Sequence, residues 1–442
     1  MSISTKALQA ATDTHVLEIG SGVLKKIPEL FQQQFPQAKA WIIADTHTFR
    51  VAGEAVVAYL QEAGIEQEPP FIFTDPSLYA SMEFEAQIES VMKTNTAIPV
   101  AVGSGTINDL TKLAAFRTHR PYMCVATAAS MDGYTAFGAS ITYKGSKQTF
   151  NCPAPKAVIA DIEIIRKAPK EMTASGYADL FAKVTAGADW ILADELGVEP
   201  IDPTAWEIVQ DGLALALANP EGAQNGEADA ITPLVEGLML GGFAMQLTKT
   251  SRPASGAEHQ FSHLWDMEHH VHNGKAPSHG FKVGIATIAV TALYEQMLQA
   301  PLDQLDVGAC CDQWPDAAAQ ESKVREMFSG TDFLDTAVRE TKEKYVTKEA
   351  LAQQLELLKT KWPVIKELLE KQLLPVQEVK RRLQLVGAPT KPMEIGITEK
   401  RLYQSYFRAQ HIRRRFTVLD VAVRTGYLRQ WISEIYNAKP GF

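Results

Sequence analysis

Short apolar runs recur through the first 165 residues or so, each separated from the next by a stretch of helical spacing. They are AWIIAD (40–45), AIPVAVGSG (97–105), PYMCVATA (121–128) and AVIADIEII (157–165). A run that is apolar throughout, with little alternation, reads as a strand buried on both faces, and strands alternating with helices imply parallel connections. The chain is thus expected to build a parallel sheet covered by helices, an α/β domain of Rossmann-like type. After Lys167-Ala168-Pro169 the strand signals nearly stop. From Thr173 onward most segments have helical spacing, with long charged helices between about 320 and 385. Pro389 and Pro392 break that pattern and predict a turn before a last helical section. The expected division is an α/β domain over 1–168 and an all-α domain over 169–442.

At 442 residues and 46% hydrophobic composition the chain can bury a large core, and two domains are expected over one. The formal net charge of -9 argues against a nucleic-acid partner, which needs a basic surface to displace counterions from phosphates. In that setting Lys380-Arg381-Arg382 and Arg413-Arg414-Arg415 read as solvated helix faces. The N-terminal residues lack an apolar core after a basic start, and no later stretch reaches about 18 uninterrupted apolar residues, so neither a targeting signal nor a membrane partner is expected. Cys124, Cys152, Cys310 and Cys311 show no CxxC spacing, which fits reduced thiols and a cytoplasmic protein.

In VAVGSGTINDLTKLAAF an apolar strand runs into Gly103-Ser104-Gly105-Thr106 and then a helix predicted to begin near Ile107. Two glycines let backbone approach a pyrophosphate, and a helix N-terminus adds free N–H groups and a favourable dipole. The third glycine of a GxGxxG fingerprint is absent, since Asn108 and Asp109 follow, so by pattern alone the phosphate signal is weak and the loop reads rather as a plain turn. Gly20-Ser21-Gly22 is read as a turn only. The next strand ends in Thr127-Ala128-Ala129-Ser130-Met131-Asp132, which puts hydroxyls and a carboxylate at the carboxyl edge of the sheet, where such folds bind ligands. Asp45 ends the strand AWIIAD and suits either a ribose hydroxyl or a helix N-cap.

Six of the ten histidines lie between residues 259 and 279. His259 and His263, four apart, share one face of a helix. His279 precedes Gly280, where the backbone can turn. A catalytic divalent metal takes about three N or O ligands and keeps a position open. Two histidines therefore need a carboxylate, and Asp179, on a helix predicted to start at Thr173 or Ser175, is available beside the core residues Leu180, Phe181 and Val184. His269, His270 and His272 read as ordinary histidines of a polar loop.

Six motifs carry a resemblance to a known family: GSGTIND (103–109), TAASMDGYTAFGAS (127–140), ASGYADLFAK (174–183), SRPASGAEHQFSH (251–263), SHGFKVG (278–284) and RFTVLDVAVRTG (415–426). In family order they span most of the chain, which resembles the iron-containing alcohol dehydrogenase, glycerol dehydrogenase and dehydroquinate synthase superfamily, and within it the bacterial glycerol-1-phosphate dehydrogenases of the AraM group. The resemblance implies a dehydroquinate synthase-like fold, with a dinucleotide-binding domain over 1–168, a helical metal- and substrate-binding domain over 169–442, and a metal in the cleft between them. It maps the metal onto Asp179, His259 and His279, and the NAD or NADP contacts onto Gly103, Ser104, Gly105, Thr106, Ile107, Thr127, Ala128, Ala129 and Ser130. Asp132 and His263 would face the substrate.

The implied reaction is reversible NAD(P)-linked reduction of dihydroxyacetone phosphate to glycerol 1-phosphate, with zinc, nickel or iron as the metal and a homodimer as the assembly. A glycerol or polyol dehydrogenase is the near alternative, and a dehydroquinate synthase-like cyclase the distant one. Against the latter, the carboxylate ligand here would be Asp179, where those enzymes use glutamate. A phosphate substrate needs a cation, for which Arg252 is the candidate. One position departs from the family: Ala136, with Thr135 beside it, stands where relatives place a cofactor-contacting serine. The chain is also longer than typical relatives, mainly after about residue 300.

Overall fold

The protein is described by a computed structural model covering residues 3–143 and 146–438; the outer limits of the two expected domains, Met1 and Phe442, lie outside these residues. Packing divides the chain into two compact units, one of residues 1–180, 203–251 and 385–387, the other of 181–202, 252–384 and 388–442. The expected boundary after residue 168 follows secondary structure, whereas these units follow packing.

The first unit holds a six-stranded sheet in the order β1 (Val16–Gly20), β8 (Ala157–Asp161), β5 (Met123–Ala126), β4 (Ile98–Gly103), β2 (Ala40–Asp45) and β3 (Gln67–Phe73). Every pairing is parallel. The four central strands are the four apolar runs of the sequence, and they are buried almost throughout. The two edge strands are partly exposed, and Pro69 and Pro70 sit on the edge strand β3, where its pairing with β2 shifts register between Trp41 and Ile43. An antiparallel hairpin, β6 (Ala139–Tyr143) with β7 (Ser146–Phe150), interrupts the parallel series. Sequence reading passed over it because its strands are short and half polar.

From β2 the chain steps outward to β3, then crosses back over β2 to place β4 on the other side. The strand order therefore reverses between β2 and β4, the position at which open parallel sheets bind ligands beyond their carboxyl ends. Asp45 ends β2 and Gly103 ends β4.

Helix Ala228–Thr248 also belongs to the first unit. It is long and apolar enough by composition to cross a membrane, but 72% of its apolar window is buried, as in a core helix. Its fully buried Gln246 accepts the Asp13 and Thr14 N–H groups and donates to the Thr14 hydroxyl and the Thr135 carbonyl, so no amide atom is stranded in the core.

The second unit is helical. Its charged stretch is explained by helix Lys348–Gln372, which buries Leu351, Leu355, Leu358, Trp362, Ile365 and Leu369 along one stripe and leaves charges outside. Arg381 and Arg382 pair with Glu378 at the surface, as expected of a solvated face. Arg415 departs from that expectation: it is half-buried, donates to the Ser255 carbonyl at 2.6 Å, and burial pushes its guanidinium down to about 9.

Candidate functional site

The loop after β4 leads into helix Gly105–Arg117, two residues earlier than the sequence pattern indicated. Its N-cap, Ser104, makes no side-chain capping bond, so the first-turn N–H groups keep no acceptor from the helix or its cap. Neither Gly103 nor Gly105 has positive φ; what excludes a side chain is space. A Cβ at Gly103 would lie 2.6 Å from Ile107 Cβ, and one at Gly105 would lie 2.2 Å from Met131 Cε. A side chain at Gly103 would run into Ile107, and one at Gly105 would have to push the flexible end of Met131 aside, so bare backbone suits this turn and its first-turn N–H groups fit a dinucleotide's phosphates.

The strand β5 runs beside β4 with Ala126 opposite Gly103, and the Thr127 N–H donates to the Gly103 carbonyl at 3.1 Å. The two candidate cofactor segments, 103–107 and 127–130, are therefore tied together. Thr127, Ala128 and Ala129 are buried, while Ser104, Thr106 and Ser130 keep partial exposure. Asp45 serves as an N-cap: its Oδ1 accepts from the His47 and Thr48 N–H groups. Of its two expected roles the structure displays that one, with only the other oxygen left for a ribose. Gly22, with φ of 69°, makes the turn expected at 20–22.

The segment from Asp132 to Gly138 is held from below by a buried polar face of helix Gly105–Arg117 that sequence reading missed. Lys112 Nζ donates to the carbonyls of Gly133, Ala136 and Gly138 at 2.9, 2.9 and 3.0 Å. The Asp109 carboxylate accepts the Ser140 N–H, and Asn108 accepts the Tyr122 hydroxyl. The signal was present in the sequence: Asn108, Asp109 and Lys112 fall on one face of a helix whose remaining residues are mostly apolar. Thr135, beside the divergent Ala136, is fully buried and spends its hydroxyl on the Met239 carbonyl at 2.7 Å. It does not replace the missing serine as a cofactor contact.

Asp179 lies on helix Lys170–Phe181, completely buried. Gly176 on this helix sets how closely it approaches the 127–130 segment, because a Cβ there would fall 2.0 Å from the Ala129 carbonyl oxygen. One Asp179 oxygen accepts the backbone N–H of Asp132 at 3.1 Å.

The histidines are positioned by two helices of the second unit. His259 and His263 lie on helix Ala257–Met267, and His279 is the first residue of helix His279–Gln299, whose N-cap is Ser278. The chain does not turn at Gly280 as expected; Gly280 continues the helix. Ring centroids lie 6.1 Å apart for His259 and His263, 5.2 Å for His259 and His279, and 6.1 Å for His263 and His279. Among the described residues, Asp179, His259 and His279 each offer a ligand atom within 4.8 Å of the others. One carboxylate with two imidazoles is a donor set that fits a divalent transition metal. His263 is outside this set.

The remaining histidines have structural partners. His269 meets Asp332 at the surface, and buried His270 contacts the Ile395 carbonyl and the Arg401 guanidinium. Arg252, expected as the phosphate-binding cation, is buried and donates to the carbonyls of Phe416 and Asp189 at 2.9 and 2.7 Å. It is committed to holding the helical unit together. Burial, with the nearby Glu258 charge, pushes the Asp189 carboxyl up to about 7 against its hydrogen bonds from Tyr294 and two backbone N–H groups.

Residues 18–169 match the family model described as iron-containing alcohol dehydrogenase. The chain is 34% identical over 281 residues to an NAD(P)+ glycerol-1-phosphate dehydrogenase of Halalkalibacterium halodurans, covering 63% of this chain and 70% of the relative. A second such enzyme, from Bacillus licheniformis, is 30% identical over 342 residues, 76% of this chain and 84% of the relative. In three dimensions the chain is similar to the crystal structure of glycerol dehydrogenase from Schizosaccharomyces pombe, with a TM-score of 0.60 at 15% identity over 97% of this chain and 92% of that one. At that identity the likeness establishes the fold.

Proposed function

Since the chain belongs to the glycerol-1-phosphate dehydrogenase family, among the iron-containing alcohol dehydrogenases, we propose that it catalyses the reversible NAD(P)-linked reduction of dihydroxyacetone phosphate to glycerol 1-phosphate. The observation that carries this reading is the convergence of Asp179, His259 and His279 within 4.8 Å, in a chain that also has the glycine turn at 103–105. Residues 1–168 take the dinucleotide, and 169–442 the metal and substrate. We place the enzyme in the cytoplasm, in keeping with its four free cysteines, and expect it to work as a homodimer.

In this assignment Asp179, His259 and His279 hold one zinc, nickel or iron ion, which when bound supplies Lewis acidity toward the substrate's carbonyl oxygen. The nicotinamide, as NADH or NADPH, supplies the hydride that the carbonyl carbon receives. The first-turn N–H groups of the Gly105–Arg117 helix bind its pyrophosphate, and Thr127 to Ser130 line the same site. Asp132 and His263 orient the substrate hydroxyls. His263, directly or through a water, delivers the proton that the new alcohol oxygen needs.

The engagement of Arg252 with backbone carbonyls favours a second reading, a dehydrogenase of unphosphorylated polyols, because the one cation nominated for a phosphate is not available to it. One assay separates these. Metal-loaded protein is mixed with NADH or NADPH and either dihydroxyacetone phosphate, dihydroxyacetone or a sugar phosphate, and the loss of reduced-nicotinamide absorbance is followed. Stoichiometric oxidation with the phosphate ester supports the main reading, and oxidation with dihydroxyacetone alone supports the second. A sugar phosphate that is cyclised or loses phosphate without net cofactor oxidation overturns both.

A further inference from the structure

The residue immediately before His259 carries a charge into the interior of the helical unit without any role in the reading above. Glu258 is fully buried, on the first turn of helix Ala257–Met267. Buried carboxylates are costly unless every lone pair finds a donor. Glu258 finds three. Its Oε1 accepts the Gly256 N–H at 2.6 Å and lies 2.8 Å from His259 Nδ1, and its Oε2 accepts the Thr185 hydroxyl at 2.8 Å.

These contacts decide the state of the imidazole. Oε1 accepts the Gly256 N–H and Oε2 the Thr185 hydroxyl, so with Glu258 acting as a carboxylate acceptor at both oxygens the ring nitrogen beside Oε1 is the donor. His259 is fixed as the Nδ1–H tautomer, and Nε2 keeps the ring's only lone pair. A ligating histidine whose second nitrogen donates to a carboxylate is both oriented and made more basic, and such partners commonly change metal affinity by 10–100-fold when lost.

The carboxylate is itself held in place. Asp189 accepts the Ala257 N–H at 2.7 Å, the Val418 N–H at 2.7 Å and the Tyr294 hydroxyl at 2.6 Å, which anchors the start of the helix that carries Glu258 and His259. Gly256 is obligatory at the entry to that helix, because a Cβ there would lie 2.4 Å from Asp189 Oδ2 and 3.0 Å from Glu258 Oε2. Both carboxylates, the glycine and Thr185 thus form one buried frame around a single imidazole.

We propose that Glu258 is a positioning residue for the metal centre: through Nδ1 of His259 it sets the tautomer and ring orientation that present Nε2 to the ion. This inference rests on the assignment of His259 as a ligand, and its test has one readout that does not. The first measurement is the zinc dissociation constant by competition with a chromophoric chelator, in wild type, Glu258→Gln, Glu258→Leu and His259→Ala. Glu258→Gln keeps volume and one accepting oxygen but loses the charge, so affinity should weaken about tenfold or less; Glu258→Leu removes the acceptor and should weaken it by roughly 10–100-fold. NADH affinity should be unchanged in both.

The second measurement is made on metal-free protein at about pH 8, where an ordinary imidazole is neutral. Nitrogen-15 shifts of His259 should report the Nδ1–H tautomer in wild type and a mixture of tautomers in Glu258→Leu. If both variants bind zinc as wild type does, or His259 keeps a single tautomer in Glu258→Leu, the positioning role is overturned. If His259→Ala binds zinc as wild type does, the ligand assignment fails instead, and the tautomer measurement still decides whether Glu258 governs this imidazole. Should Glu258→Leu fail to fold, Thr185→Val, which removes the donor to Oε2, replaces it and should weaken zinc binding in the same direction by a smaller factor.

Discussion

The backbone N–H of Asp132 donates to a carboxylate oxygen of Asp179 at 3.1 Å, so the segment proposed to face the substrate is fastened to the acid proposed to hold the metal. Asp179→Asn separates the two duties, since an amide oxygen can still accept the Asp132 N–H but no longer supplies a charged ligand. Metal affinity should fall by more than the roughly 10–100-fold typical of a lost outer partner, with little change in unfolding temperature. Metal content after dialysis and a thermal melt check this; an Asn variant that retains full metal would remove Asp179 from the ligand set.

Gly105→Val should damage cofactor binding, because its Cβ would have to displace the end of the Met131 side chain, 2.2 Å away, and its branch would crowd the backbone N–H groups proposed to hold the pyrophosphate. The dissociation constant for NADH should rise at least about tenfold, equivalent to 1.4 kcal/mol, with zinc affinity unaltered. Unchanged nicotinamide fluorescence titrations would return the loop to the status of a plain turn.

Lys112→Met should loosen the loop that carries Asp132. The Ala136 and Gly138 carbonyls would lose the ammonium that now donates to them, at about 1–3 kcal/mol for each that stays buried and unpaired, while the Gly133 carbonyl would keep the longer bonds from Asn108 Nδ2 and the Ala136 N–H. The denaturation midpoint should drop, and kcat/KM should fall through both substrate and cofactor terms. A variant of wild-type stability would show that the carbonyls find other donors.

His263→Ala distinguishes substrate handling from metal binding. His263 neighbours both other imidazoles yet lies outside the Asp179, His259 and His279 set. The variant should keep its metal and lose roughly 10²–10⁴-fold in kcat if the side chain orients hydroxyls or relays the proton. Loss of metal would make it a ligand, and full activity would make it a packed histidine.

Stability should fall on acidification through His411. Burial, with Lys344 and Lys323 nearby, pushes its imidazole down to about 3, while an unfolded histidine titrates near 6.5. The fold therefore holds the neutral ring, with Nδ1 2.9 Å from the Thr341 hydroxyl. Because the unfolded chain takes up the proton first, this contribution is intact above pH 6.5 and is lost as pH drops from there toward 3. Between pH 7 and 5 the loss is about 2 kcal/mol, and His411→Gln should lack it when unfolding free energies are compared at the two pH values. Equal pH slopes in variant and wild type would refute the assignment.

The sequence by itself determined the four buried strands, because a run apolar on both faces has no other stable place than the middle of a parallel sheet. It also determined the glycine turn between β4 and its helix and the histidine-bearing helix, since two glycines after a strand and two imidazoles four apart are local patterns. The edge strands and the hairpin at Ala139–Phe150 were not legible, because half-exposed strands carry a mixed composition that loops share. Only the tertiary structure decided what a polar residue is for. Arg252 looked free to meet a phosphate and is bound to two carbonyls distant in the chain; Asp45 suited a ribose and caps a helix. Lys112 and Glu258 were given no role from the sequence and are buried, one holding three carbonyls of a loop and the other one nitrogen of a histidine. The reason is physical: apolar periodicity is written along the chain, whereas a buried charge is stable only beside donors and acceptors that folding brings from elsewhere.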